Sequence, residues 1–224
     1  MTETDAGALV FDTDPCGNRR LADRRFDGAT FPDLQLHPQP GTEWILERVV
    51  FSGCHTNPGT CWISRGTTLR DVVIEDLNCG DALWISSNCQ LERVILKRRK
   101  RTGRLSVRPF EGDDPQFRQR ADDWCLDITG FHGHEVEVFG VPVSRIRFDP
   151  TRQVVVRRDW RTAFDWDAIG LKRLGFFGIV TAQLVAHQVG EGIVSLPAAS
   201  RNLARYEEAR REMEILRRAG AVFS

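Results

Sequence analysis

Three short segments of this chain repeat one another: Leu46-Glu-Arg-Val-Val-Phe51, Leu69-Arg-Asp-Val-Val-Ile74 and Leu91-Glu-Arg-Val-Ile-Leu96. Their leading leucines stand 23 and 22 positions apart. A second set lies at Trp62-Ile-Ser64, Trp84-Ile-Ser86, Leu105-Ser-Val107 and Leu126-Asp-Ile128, with spacings of 22, 21 and 21. Two features that share one period point to an internal repeat. The unit is too short for strands plus a helical crossover, and its apolar residues alternate with polar ones, as in half-buried β-structure. Equivalent strands stacked about 4.8 Å apart bury a continuous apolar column that no single unit could bury alone. The fold class expected is therefore mainly β, a single-stranded parallel β-helix.

Charges support that register. The second and third positions of the leucine-led segments read Glu47-Arg48, Arg70-Asp71 and Glu92-Arg93. Stacked, they form two ladders of alternating sign, Glu47–Arg70–Glu92 and Arg48–Asp71–Arg93. Opposite charges on adjacent strands attract, so the ladders help to fix the order of the coils.

Upstream, Leu21, Phe26, Phe31 and Leu36 recur every five residues, with the small Ala29 two before Phe31. Leu46 and Phe51, Leu69 and Ile74, and Leu91 and Leu96 continue that spacing. On these residues the chain resembles the pentapeptide-repeat family over roughly residues 21–96. The resemblance implies a square, right-handed β-helix with a large apolar residue at the centre of each five pointing inward. The pattern departs from the family in its coils of 21–23 residues and in having Val at many of the small-residue positions. The family includes immunity proteins that neutralise toxins and DNA mimics that guard topoisomerases. A DNA mimic needs a strongly acidic surface, whereas 31 basic residues balance 31 acidic ones in this chain.

Three regions are expected: a lead-in over residues 1–20, the β-helix over 21–156 with a polar excursion at 109–123, and a mainly helical cap or dimerisation segment over 157–224. Residues 124–156 suit either further coils or a small antiparallel sheet. Ser200 is placed to cap a last helix running to Gly220, with Tyr206, Ala209, Met213 and Leu216 on one face. That stripe would close the open end of the β-helix or join two copies of the chain. The acidic, polar first residues resemble no secretion signal, so a cytoplasmic location is expected, with Cys16, Cys54, Cys61, Cys79, Cys89 and Cys125 as free thiols in a reducing compartment. No membrane association is expected, because the most apolar window, residues 174–189, is too short to span a bilayer comfortably.

Catalytic signatures are sparse. No phosphate loop or dinucleotide fingerprint occurs, and Ser195 lacks a nucleophile-elbow context. His132-Gly-His134-Glu135 lacks a nameable third ligand, so neither a metal nor another cofactor is expected. Asp113-Asp114 and Asp122-Asp123 are the acids a carbohydrate-active β-helix enzyme would use, and a groove of carboxylates beside tryptophans would favour that alternative. The predicted partner site is the basic run Lys97, Arg98, Arg99, Lys100 and Arg101 with Arg104, together with Trp160 and Trp166. The run would attract an acidic protein rather than nucleic acid, since it carries no aromatic to stack bases. Acids within residues 111–127 could instead neutralise it. The expected function is thus a non-catalytic, cytoplasmic bacterial protein-binding β-helix, an immunity or antitoxin-like inhibitor, with an enzyme or an assembly protein as alternatives.

Overall fold

The computed structural model describes residues 9–32, 34–57, 59–99, 103–114, 117–120 and 123–223. A short β1 (Asp12–Thr13) pairs antiparallel with β2 and occupies the first edge of the stack. The first coil contains β2 (Arg19–Asp27), β3 (Thr30–Phe31) and β4 (Leu34–Leu36), and the second β5 (Trp44–Ser52), β6 (His55–Thr56) and β7 (Cys61–Ile63). The third contains β8 (Thr67–Arg70), β9 (Val73–Glu75) and β10 (Ala82–Ser86), and the fourth β11 (Gln90–Glu92), β12 (Val94–Lys97) and β13 (Arg104–Arg108). A fifth coil follows with β14 (Leu126–Asp127) and β15 (Glu135–Phe139), and β16 (Ile146–Arg147) begins another turn. The chain is a parallel β-solenoid of about five stacked turns.

The leading leucines lie on successive rungs. Leu21 pairs with Leu46, Leu46 with Leu69 and Leu69 with Leu91. Phe26, Phe51, Ile74 and Leu96 form a second column. On the opposite wall Leu34, Cys61, Leu83, Leu105 and Val136 are in register, as are Leu36, Ile63, Ile85, Val107 and Val138. The columns meet in one core. Two expected alignments need correction. Trp84 pairs with Ser106, so Leu105 belongs with Leu83, while Leu126 pairs with Val94 on the other wall. The long segment between β13 and β14 breaks the count, and the next rung of the tryptophan wall is β15.

Each leucine-led segment bends after its second residue. Asp23, Arg48, Asp71 and Arg93 share φ of 51–55°. A non-glycine residue pays about 1–2 kcal/mol for this left-handed conformation. The bend explains why the buried residues follow a Leu-x-x-Val-x-apolar pattern: the corner residue is an extra step between two inward-facing runs. Four such corners stack, which brings their side chains together outside. Arg48 grips Asp23 through two bonds of 2.6 and 2.8 Å, and Arg93 grips Asp71 through two of 2.6 and 2.7 Å. The second ladder is therefore two bidentate pairs rather than an even chain, because the first coil supplies Asp23 as the partner of Arg48. In the first ladder Arg70 lies 2.6 Å from Glu92 and 3.9 Å from Glu47, and Arg20 adds a fourth member by bonding Glu47.

The excursion completes the stack where a strand is missing. Among the described residues no strand of the fifth coil pairs with β11. Gln119 fills that position, accepting from Leu91 N–H at 2.9 Å and donating to the carbonyls of Ser87 and Cys89 at 3.2 and 2.9 Å. One side-chain amide thus satisfies backbone groups that burial would otherwise leave orphaned.

Residues 124–156 combine both expected architectures. β14 to β16 continue the parallel coils, and β17 (Gln153–Arg157) then joins an antiparallel ladder through β18 (Glu191–Ser195) to β15. Antiparallel β18 ends the parallel stacking on this wall. Val155 and Ile193 face the solenoid core, whereas Val154, Val156 and Val194 face a second core formed with α1 (Trp160–Ala163), α2 (Phe176–Ala186) and α3 (Leu203–Arg218). The cap region is thus not all helix, since β18 lies inside it. Asn202 rather than Ser200 caps α3, accepting from Arg205 N–H at 3.0 Å. Met213 and Leu216 are buried in the second core, so this part of the stripe packs within the chain.

Candidate functional site

Three of the six cations of the predicted basic site are tied to the fold. Arg98 turns inward, donates to the Leu77 carbonyl and lies beneath Gly103. Arg99 bonds Glu75 and lies 3.7 Å from Asp76. Arg104 reaches Glu135 at 3.0 Å and Asp81 at 3.4 Å. The acids that engage Arg99 and Arg104 thus lie on adjacent rungs. Lys97 is exposed, while Lys100 and Arg101 lie outside the described residues. Trp160 and Trp166 are 4% and 0% exposed and belong to the second core, which corrects the expectation that they face a partner. Their charged neighbours occupy the outer side of the same turns.

The acids singled out in the excursion are also accounted for in part. Asp113 accepts from Ser86 Oγ at 2.5 Å and from Phe110 N–H at 2.7 Å, anchoring the excursion to the wall. Asp123 is exposed, and Asp122 lies outside the described residues. His132 is bonded by Arg152, and among the described residues no group of three His, Cys, Asp or Glu side chains could hold a metal. Ser195 is a strand residue whose hydroxyl accepts from Val136 N–H at 2.9 Å. Trp62 and Trp84 stack at 5.4 Å on the outer face of their wall, with Phe110 beside Trp62 and Arg108 4.7 Å from the Trp84 ring.

Two surface features remain, and both involve α2. This helix is apolar on every side and is packed on only one. Phe177, Val180 and Leu184 face the second core, whereas Ile179 is 42% and Val185 47% exposed; Leu174, just before the helix, is 85% exposed. A helix apolar all round belongs inside a larger body. Glu212 of α3 holds it in place. Its carboxylate, 4% exposed, accepts from Phe177 N–H at 3.1 Å at the start of α2. Gly175 permits this approach, since a Cβ there would lie 2.0 Å from Glu212 Oε1. Burial pushes the Glu212 carboxyl above its ordinary value despite that bond.

The second feature is a groove of about 300 Å³ between β15, α2 and the start of α3. Glu135 and Glu137 point outward from alternate positions of β15, and Phe139 continues the row under α2. Glu137 is raised by burial first and by Glu135 second. Gln183 Nε2 donates to it across a long 3.5 Å. Gln183 Oε1 and His134 Nδ1 are buried with no hydrogen-bond partner among the described residues. Burial, then Arg201, holds His134 below its ordinary value. Sequence reasoning missed this site because α2 and α3 approach β15 only through the cap.

Comparison with protein-family models, curated proteins and solved structures returns no match. Among the described residues no helix is long and apolar enough to cross a membrane.

Proposed function

We propose that the protein is a non-catalytic recognition solenoid that holds an acidic, amphipathic segment of a partner protein against α2. The observation that carries this reading is the exposed apolar face of α2 with Leu174 beside it. Such a patch on a folded chain marks a contact surface. Lys172 and Arg173 are exposed at one end, and Arg201 and Arg205 are exposed across the groove, which suits a partner rich in carboxylates. Arg98, Arg99 and Arg104 of the basic run expected to make this contact are engaged with neighbouring rungs, and this reading moves the contact to the cap. An inhibitor of the immunity-protein kind, active in the cytoplasm, is the finer form of the reading. The five-residue inward spacing from Leu21 to Leu36 supports the pentapeptide-repeat ancestry on which it rests, and five buried thiols suit a reducing compartment.

Leu174→Asp with Val185→Asp tests the proposal, because neither residue lines the groove. Wild type should retain a polypeptide from a lysate of the source cells that the double variant does not. That polypeptide, once purified, should bind with an affinity that falls as salt rises. Equal retention by both proteins rejects α2 as the contact. An enzyme remains the second reading on one observation: Glu137 stands on the wall that also carries the stacked Trp62 and Trp84. Glycan hydrolysis lost in Glu137→Gln, with partner capture intact, would favour it.

A further inference from the structure

The groove beside α2 has an inner lining of acceptors that the partner reading does not use. Its inner wall gathers acceptors: the Glu137 carboxylate, which makes no ion pair among the described residues, and the unpartnered Gln183 Oε1. His134 Nδ1 adds a further unsatisfied position. Phe176, Ile179 and Val180 supply an apolar side, and Arg201 and Arg205 stand exposed at the rim. Buried polar groups are ordinarily bonded, and Glu137 feels Arg108 and Arg104 without a direct ion pair to offset its burial. Several such groups lining one groove mark a place where a ligand supplies the missing donors. At about 300 Å³ the groove is at the lower end of the range for small-molecule sites.

The distribution of charge selects the ligand. A simple amine would satisfy Glu137 and Gln183 but would meet two arginines at the rim. A neutral sugar would satisfy the acceptors and leave both arginines unused. A simple carboxylate would suit the arginines and be repelled by Glu135 and Glu137. A molecule bearing both charges on an apolar body satisfies all three walls.

We propose that this groove binds a small zwitterion with an apolar side chain, in the simplest case a free apolar α-amino acid. Its ammonium group donates to Glu137 and Gln183 Oε1, its carboxylate faces Arg201 and Arg205, and its side chain lies on Phe176 and Ile179. The site shares Ile179, Arg201 and Arg205 with the proposed partner contact and is told apart from it by Leu174 and Val185, which lie outside the groove.

Calorimetry and thermal shift on the full chain, with leucine and phenylalanine as probes, test the assignment. Leucinol lacks the carboxylate, 2-hydroxyisocaproate lacks the amine, and glucose represents the polyol alternative. Leucine or phenylalanine should raise the melting temperature at millimolar concentration, and each truncated analogue should bind about tenfold or more weakly. Glu137→Gln should weaken leucine about tenfold while leaving the fold intact, since it removes a desolvated charge. Gln183→Leu repeats that test from the opposite wall. Arg201→Ala with Arg205→Ala should weaken leucine and leave leucinol unchanged. The proposal is overturned if neither amino acid binds, if glucose or the hydroxy acid binds as well as leucine, or if Glu137→Gln and Gln183→Leu leave leucine affinity unchanged. Leu174→Asp with Val185→Asp should leave amino-acid binding as it is, so failure of the partner reading and failure of this one are separable.

Discussion

Each buried residue of the coils has a counterpart one rung away, whereas each buried residue of the cap meets a neighbour of its own. Leu91 stands on Leu69, Leu69 on Leu46 and Leu46 on Leu21. In the cap, Trp166 donates its indole N–H to the Trp160 carbonyl, Phe177 and Trp160 both meet Phe223, and Glu212 reaches across to the start of α2. The polar groups differ in the same way. The ladder carboxylates Asp23, Glu47 and Asp71 lie on the outer side of the coils and are held down by arginines on adjacent strands. Glu212 is inside and is pushed up by burial. Repetition lets many weak, similar contacts fix a register, while the cap depends on a few contacts that are made once.

The largest effect should come from emptying a core position in each region. Leu91 and Leu216 are both fully buried, and replacing either with Ala should cost about 2–5 kcal/mol. The consequences should differ. Nearest-neighbour stacking couples the coils, so Leu91→Ala should shift a single β transition. Leu216→Ala should loosen the helical signal ahead of the β signal. Urea denaturation followed by circular dichroism in both regions decides this. If the two signals of Leu216→Ala stay coincident, cap and coils are one cooperative unit and the contrast between them is wrong.

A smaller effect sharpens the contrast at one atom. Gly175→Ala places a methyl group on the Glu212 carboxylate and should cost about 1–3 kcal/mol by stripping the buried acceptor from Phe177 N–H. Glu212→Gln keeps an acceptor and removes the charge, so it should cost less. Equal losses in denaturation midpoint would mean that the charge itself holds α2.

This contrast also explains how much the sequence discloses. The leucine columns, the charge ladders and the recurrence of Trp62 and Trp84 were legible because each appears more than once. The left-handed corners were not, since Arg48 and Arg93 in a strand-like run carry no mark of φ near 54°. Gln119 looks like any loop residue, because the backbone groups it satisfies lie about thirty positions upstream. Trp160 and Trp166 look exposed among charges, yet the second core forms around them. Strand β18 was invisible for a related reason: Gly192, a weak strand former, sits where a Cβ would lie 2.3 Å from the Phe139 ring. Glu137 was one of several acids until α2 covered it. What occurs once, and depends on distant chain segments, leaves no period to detect.

The smallest effects concern charge, and here the two regions should respond to pH with opposite sign. Arg48 holds Asp23 below its ordinary value, Arg20 does so for Glu47, and Arg93 for Asp71. These carboxylates stabilise the coils fully above the unfolded value, and the contribution is lost as pH falls through their depressed folded values. Glu212 behaves in reverse: its raised folded value means that stability is greatest when it is protonated and declines as pH rises from the unfolded value through the folded one. Acidification from neutrality should thus first stabilise the cap, and should weaken the coils only below about pH 4. Arg70→Glu isolates the coil term, because it replaces the cation between Glu47 and Glu92 with a third like charge. The variant should melt below wild type at neutral pH, approach it as salt screens the repulsion, and converge with it in acid as the carboxylates protonate. Glu212→Gln should flatten only the rise in cap stability between neutral and mildly acid pH. If the two substitutions change the same limb of the pH profile, the coils and the cap do not differ in how they hold their charges.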